Sequence, residues 1–343
     1  MQEKINPNLR HPIEATPESG EAVEIQKGVY WIRLPVPFEL NHINVWLLED
    51  NDGYTLVDTG ISSNKTCAAW ERIFKDVIKE KSINRIIVTH FHPDHFGLAH
   101  WLCERTNADY FASKETIERV NFLLDMEDKN HLETRMSFYQ QHEIVDIEFF
   151  EDFLKGSLYA AVVSGKPVNT NVVNDDDSLK IGEYEWQVIM TYGHAPGHIN
   201  LYCKELNMLI SGDQVLPTIT SNVSVHADQP EENPLHDYLA SFLKLKFLPA
   251  DTLVLPSHGK VFEGLHQRIK EIVEHHNEKL EEVFLICEQA HSASELMPKL
   301  FRRKLEGINS VLGFGETLAH LNYLCHQKRL QRNLQEGKYI YQH

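Results

Sequence analysis

Apolar positions in this chain fall into short runs that close on Gly, Pro, Asp or His, the pattern of buried strands ending in tight turns. Gly28–Leu34 and Ile43–Leu48 alternate as half-buried strands do. Leu56-Val57 runs through Asp58-Thr59-Gly60 into a helical pattern over about 63–80, with Ser62 or Ser63 as N-cap. Arg85–Val88 is another strand-like run, followed by a helix that starts at Pro93 and ends near Arg105, and by a strand over Ala108–Ala112. A second set of strands is predicted near 179–192, 199–211 and 252–257.

Residues of about 114–175 separate the two sets and are too many for a simple connection. Ile117, Val120, Phe122 and Leu123, and later Ile144, Ile147, Phe149 and Phe150, recur at helical spacing and predict an inserted helical cap. Met126, Met136, Phe138 and Tyr139 are placed either to line an apolar pocket or to form core. A long helix over about 262–289 leads to a tail that reads as helix, helix and β-hairpin, with Ser292 and Glu295 at capping-box spacing. The chain thus divides into an extension (1–24), a large domain (25–265) and a linking helix with a small domain (266–343).

Length and a hydrophobic content of 42% support a sizeable core. No run of 18 apolar residues occurs, and the start lacks the basic-then-apolar layout of a secretory signal, so a soluble, cytoplasmic chain without membrane association is expected. Five cysteines, Cys67, Cys103, Cys203, Cys287 and Cys325, are spaced widely without CxxC pairs, which predicts reduced and mostly buried thiols. Net charge is −17, unfavourable to polyanion binding, yet residues 291–343 carry eight Lys and Arg against four Glu.

Chemistry concentrates in Thr89-His90-Phe91-His92-Pro93-Asp94-His95, where four metal-competent side chains follow a strand end. His90 and His92, two residues apart, can point the same way, whereas Asp94 and His95 fall at a helix start and form a second group. Three later strands also close on such residues: Thr191–His198 holds His194 and His198, Met208–Asp213 ends on an acid, and Thr252–Gly259 ends on His258. The GxSxG elbow, the GxxxxGK[ST] phosphate loop and the GxGxxG fingerprint are absent, and Gly313-Phe314-Gly315 is too little for a nucleotide loop.

The order HxHxDH, GHxPGH, SGD and a terminal HG resembles the metallo-β-lactamase superfamily over roughly residues 25–265. That resemblance implies an α/β (α+β) fold, a four-layer αββα sandwich, here with a helical insertion and a C-terminal domain that resembles the winged-helix tail of one branch. It implies that His90, His92 and His198 bind a first metal, that Asp94, His95 and His258 bind a second, and that Asp213 bridges them. Asp58 and His194 would support the ligands, and Asp94 would also orient the nucleophile or take its proton. Ser257 departs from the Gly that often precedes the last His. His226, in the loop Ser221–Pro234, falls outside the set.

Two divalent ions per chain are expected, zinc first, with iron or manganese accepted by the same ligands. His92 replaces the Glu of the oxygen- and nitric-oxide-reducing relatives, which argues against that role. The expected activity is hydrolysis of a thioester or other ester-like bond of a small molecule, of hydroxyacyl-glutathione or acyl-coenzyme A type, by a hydroxide bridging the two metals. The lysines that clamp a glutathione carboxylate in such relatives find no match here. Alternatives are a metal-dependent endoribonuclease or phosphodiesterase that uses the tail for RNA, and a mononuclear iron persulfide dioxygenase. The tail could equally serve a homodimer.

Overall fold

The computed structural model describes residues 5–37, 40–125, 129–143, 157–302 and 304–343. Ile144, Ile147, Phe149 and Phe150, four of the positions marking the expected cap, and Met126, expected in a pocket or core, lie outside them.

Seven strands form the first sheet in sequence order: β1 (Ala22–Gln26), β2 (Val29–Pro35), β3 (His42–Asp50), β4 (Gly53–Val57), β5 (Ile83–Ile87), β6 (Asp109–Ser113) and β7 (Thr170–Val173). β1 to β4 are an antiparallel meander, and β4 to β7 run parallel. Parallel neighbours need crossovers, which helices provide. α1 (Asn64–Ile73), extended by a π turn (Phe74–Ile78), joins β4 to β5. α2 (Pro93–Phe96) and α3 (Ala99–Thr106) join β5 to β6. Ser63 is the N-cap of α1, its side chain accepting from Thr66 N at 3.2 Å.

The second sheet has the order β12-β11-β10-β9-β8, from β8 (Ser178–Ile181), β9 (Tyr184–Thr191), β10 (His198–Cys203), β11 (Met208–Gly212) and β12 (Leu253–Pro256). Its one parallel pair, β11 with β12, is connected through α7 (Pro234–Leu245). The sheets face each other across Trp31, Trp46, Val57 and Ile87 on one side and Trp186, Val188, Met190, Ile199 and Leu201 on the other. Each such side chain contributes about 1.5–3 kcal/mol by leaving water.

Two further cores complete the layers. Trp70, Phe96, Leu98 and Leu102 seat α1 to α3 on the outer face of the first sheet. On the outer face of the second, Tyr238 and Phe242 of α7 meet Ile269 and Ile272 of the long helix α8 (Leu265–Ile286). This is the αββα sandwich. The same outer core continues into the C-terminal region, which consists of α9 (Ala293–Phe301), α10 (Ile308–His326) and the hairpin β13 (Gln331–Gln335) with β14 (Lys338–Gln342). The Ser292–Glu295 capping box is formed.

The insertion begins as helices, α4 (Lys114–Leu124), α5 (Lys129–Gln141) and the short α6 (Ser157–Ala160), and ends by adding β7 to the sheet. Its two ends flank the turn after β5. The Tyr159 hydroxyl donates to Phe91 O at 2.6 Å, and Arg119 lies over the rings of Phe91 and Phe122 while pairing with Asp228. α5 instead joins the C-terminal core. Phe138 and Tyr139 are buried against Phe314, and His142 Nε2 meets the Tyr341 hydroxyl at 3.2 Å. Phe138 and Tyr139 are therefore core residues, and Met136 packs against the same cluster. All five cysteines are free thiols. Among the described residues no helix is long and apolar enough to cross a membrane.

Candidate metal centre

β4, β5, β9, β11 and β12 all deliver their carboxyl ends to one edge of the sandwich, where the two sheets touch. Ile199 N donates to Thr89 O at 2.8 Å, and Asn44 N to Ser257 O at 2.6 Å, so main-chain bonds tie the sheets together at that edge. The turns after these strands carry Asp58, His90 to His95, His194, Asp213 and His258.

Two groups of side chains converge there. His90, His92, His194 and Asp213 form one, and Asp94, His95 and His258 the other. His90 Nε2 lies 2.8 Å from His92 Nδ1 and 3.2 Å from His194 Nε2. Donors around a tetrahedral zinc ion stand about 3.3 Å apart, given Zn–N bonds of about 2.0–2.1 Å, so this spacing fits one cation. In the second group Asp94 Oδ2 is 3.3 Å from His258 Nε2 and 3.8 Å from His95 Nε2. Asp213 joins the two: Oδ2 is 3.4 Å from His194 Nε2, while Oδ1 is 3.5 Å from His95 Nε2 and 3.6 Å from His258 Nε2. His95 Nε2 and Asp213 Oδ1 are buried and, among the described residues, have no hydrogen-bond partner, as donors awaiting a cation would be.

The far nitrogens explain why these rings point inward. His90 Nδ1 is 3.0 Å from Thr89 Oγ1, His95 Nδ1 is 2.7 Å from Asp58 Oδ2, His194 Nδ1 is 2.7 Å from Asn222 O, and His258 Nδ1 is 2.8 Å from His42 O. Each of these acceptors takes an Nδ1–H, which turns the Nε2 atoms of the four rings towards the cluster. Asp58, at φ +64°, also accepts from Thr89 N at 2.8 Å and from Thr89 Oγ1, so one buried carboxylate orders the neighbouring rings of His90 and His95. Asp58 thus lies behind the cluster, against His95 Nδ1 and Thr89. Thr89, Asn222 and His42 carry no spacing signal that would mark them in the sequence.

His198 is where the structure departs from expectation. It opens β10, fully buried, and its Nε2 accepts from Asp213 N at 3.1 Å. That lone pair is committed to the main chain, and the ring stacks behind His90 with centroids 4.9 Å apart. His194, expected to be the support, stands in the cluster instead. The two histidines of the GHxPGH turn exchange places because strand pairing with Thr191 turns His198 into the sheet, whereas His194 stays in the free turn.

Electrostatics match a cation site. Burial and the neighbouring imidazoles hold His90 and His92 well below the usual histidine range, and burial lowers His198 to about 3. Burial would raise Asp94, but His95 and His258 outweigh it and bring Asp94 down to about 2. Asp213 is likewise held low, against burial, by His258 and His95. His95 and His258 are raised, the carboxylates of Asp58, Asp94 and Asp213 overcoming burial. The pocket therefore concentrates negative potential on buried donors. It opens to solvent at half-buried His92 and Asp94. Five imidazoles and two carboxylates could hold zinc, iron or manganese.

Residues 39–258 match the family described as the metallo-beta-lactamase superfamily, and residues 280–343 the metallo-beta-lactamase-like C-terminal domain. The chain belongs to the metallo-beta-lactamase superfamily. A solved relative, a beta-lactamase domain protein from Burkholderia ambifaria, is 38% identical and superposes with a TM-score of 0.90 over 98% of each chain. The probable metallo-hydrolase YqjP of Bacillus subtilis (strain 168) is 24% identical across 92% of this chain and 97% of its own length. A hydroxyacylglutathione hydrolase of Idiomarina loihiensis is 32% identical over a shorter stretch of 89 residues, 26% of this chain and 32% of its own. This superfamily member is a metal-dependent hydrolase.

Proposed function

We propose that this hydrolase uses two metal ions to cleave a thioester or related ester-like bond of a small molecule. The observation that carries the two-metal reading is Asp213, whose two carboxylate oxygens face one donor group each. His90, His92 and His194 would hold the first ion, and Asp94, His95 and His258 the second, with Asp213 between them. Zinc is the first candidate, iron and manganese the others. When bound, such a pair lowers the pKa of a shared water towards neutrality and polarises the oxygen of the scissile group. The chain's own part is to keep the ligands in the right tautomer through Thr89, Asp58, Asn222 and His42, and to exclude bulk water from all but the His92–Asp94 side. Asp94, ionised and at that opening, orients the attacking oxygen or takes its proton.

The thioester assignment draws on the likeness to the hydroxyacylglutathione hydrolase. The helix–helix–hairpin order of α9, α10 and β13–β14 reads as a winged-helix-like module, which in principle suits RNA. Its charges speak against that use. Arg302 pairs with Glu282, Lys304 with Glu306, Arg329 with Glu281, Arg332 with Glu231 and Lys338 with Glu143, so most of the basic excess is spent within the chain. With a net charge of −17 little remains to draw in a polyanion.

The test is to measure zinc, iron and manganese in the purified protein and to assay thioesters, lactones, phosphodiesters and RNA beside His194→Ala and Asp213→Ala variants. Turnover of a thioester that both variants lose is the expected result. Metal-dependent RNA cleavage without ester turnover would replace this reading with the nuclease one. A single iron with oxygen consumption on persulfides would remove hydrolysis altogether.

A further inference from the structure

The Gly313-Phe314-Gly315-Glu316 segment, which has no evident nucleotide-loop role, lies on α10 against the loop that follows Asp213. Asn222 Nδ2 donates to Glu316 Oε2 and to Leu312 O, both at 3.2 Å, and Val225 N donates to Gly315 O at 3.1 Å. Ser224 Oγ donates to Asn222 Oδ1 at 2.6 Å, so the Asn222 amide is held at both ends. The approach is close enough to require glycine, since a Cβ on Gly315 would come 2.6 Å from Ser224 Oγ. Glu316 is largely withdrawn from water, and burial pushes its carboxyl up to about 7 despite the Asn222 bond. A buried acid is costly, and a turn that needed only packing would be served by an apolar side chain.

The same Asn222 offers its main-chain oxygen to His194 Nδ1 at 2.7 Å. We infer that Asn222 and Glu316 are positioning residues of the metal centre, through which helix α10 of the C-terminal region sets the tautomer and aim of His194. The chain of contacts is short: Glu316 and Leu312 fix the Asn222 side chain, the fixed side chain holds the turn, and the turn's carbonyl keeps the proton on Nδ1 so that Nε2 faces His90 and Asp213. The inference rests on the two-metal reading given above.

The experiment compares full-length wild type with Asn222→Ala, Glu316→Ala and Glu316→Gln, the last retaining an oxygen that accepts from Asn222. Zinc affinity is read by competition with a chromophoric chelator, and the His194 tautomer by nitrogen-15 spectra of the metal-free protein. Wild type is expected to take up two ions with His194 protonated on Nδ1. Asn222→Ala and Glu316→Ala are expected to weaken one binding step on the order of 10-fold or more and to mix the tautomers, with Glu316→Gln restoring most of the affinity. If wild type binds fewer than two ions, the two-metal reading falls and this inference with it. If wild type binds two and Glu316→Ala lowers the melting temperature while both binding steps and the tautomer stay unchanged, the positioning role alone is overturned. Should Asn222→Ala fail to fold, the two Glu316 variants decide the matter.

Discussion

At the residue scale, the proposed two-metal site makes His194 a ligand and His198 its support. His194→Ala removes an Nε2 that faces Asp213 and His90, and we expect it to retain one zinc ion in place of two after dialysis against a weak chelator, read by elemental analysis. His198→Gln keeps a group able to accept from Asp213 N, and its affinity is expected to fall less, by about 10-fold. Asp58 offers a second test because its backbone sits at φ +64°, which Asn tolerates and Ala resists. Asp58→Asn keeps the turn but weakens the hold on His95 Nδ1, so zinc affinity should drop about 10- to 100-fold with little change in unfolding free energy. Asp58→Ala should lose a further ~1 kcal/mol of stability in denaturant titrations.

At the scale of elements, the site depends on strand ends being aligned, and Asn44 of β3 does part of that. Its amide donates to Pro256 O and Gly259 O, both at 2.8 Å, and its Oδ1 accepts from Arg33 Nε at 3.1 Å, so it binds the first sheet to the turn that presents His258. Asn44→Ala removes the side-chain donor from the buried Pro256 O, while Gly259 O keeps Arg33 Nη2 at 3.2 Å, and should cost about 1–3 kcal/mol in urea unfolding. Strands of this kind were the most legible part of the sequence, because runs such as Arg85–Val88 and Thr252–Leu255 are buried on both faces and closed by ligand turns. β7 was not legible: three of its four residues are exposed, so no alternation betrays it. α7 could have been found from Asn233-Pro234 followed by Leu235, Tyr238, Phe242 and Leu245, a capped start and one apolar face. The exchange of His194 with His198 could not, since both stand beside glycine and only the start of β10 decides which ring enters the sheet.

For the whole molecule, the outer core joins the second sheet, the insertion and the C-terminal region, and it buries several histidines in the neutral state. Burial lowers His142 from 6.5 to about 4, opposed by its bond to Phe138 O. The unfolded chain accepts that proton first, so the stability His142 contributes is complete above about pH 6.5 and drains away as pH falls towards about 4. Melting temperatures taken between about pH 7 and about pH 5 should therefore fall less steeply for His142→Gln than for wild type, the difference bounded by about 1.4 kcal/mol per pH unit. A last consequence lies in the five strand ends gathered at one edge. Because the donors come from both sheets, a bound ion is also a clasp, and unfolding must release it. At a thousandfold excess over its dissociation constant each ion adds about 4 kcal/mol to the work of opening the sandwich. The melting temperature should climb with the logarithm of zinc concentration, and the amides of Ile199 and Asn44, which stitch one sheet to the other, should exchange with solvent more slowly as the clasp closes.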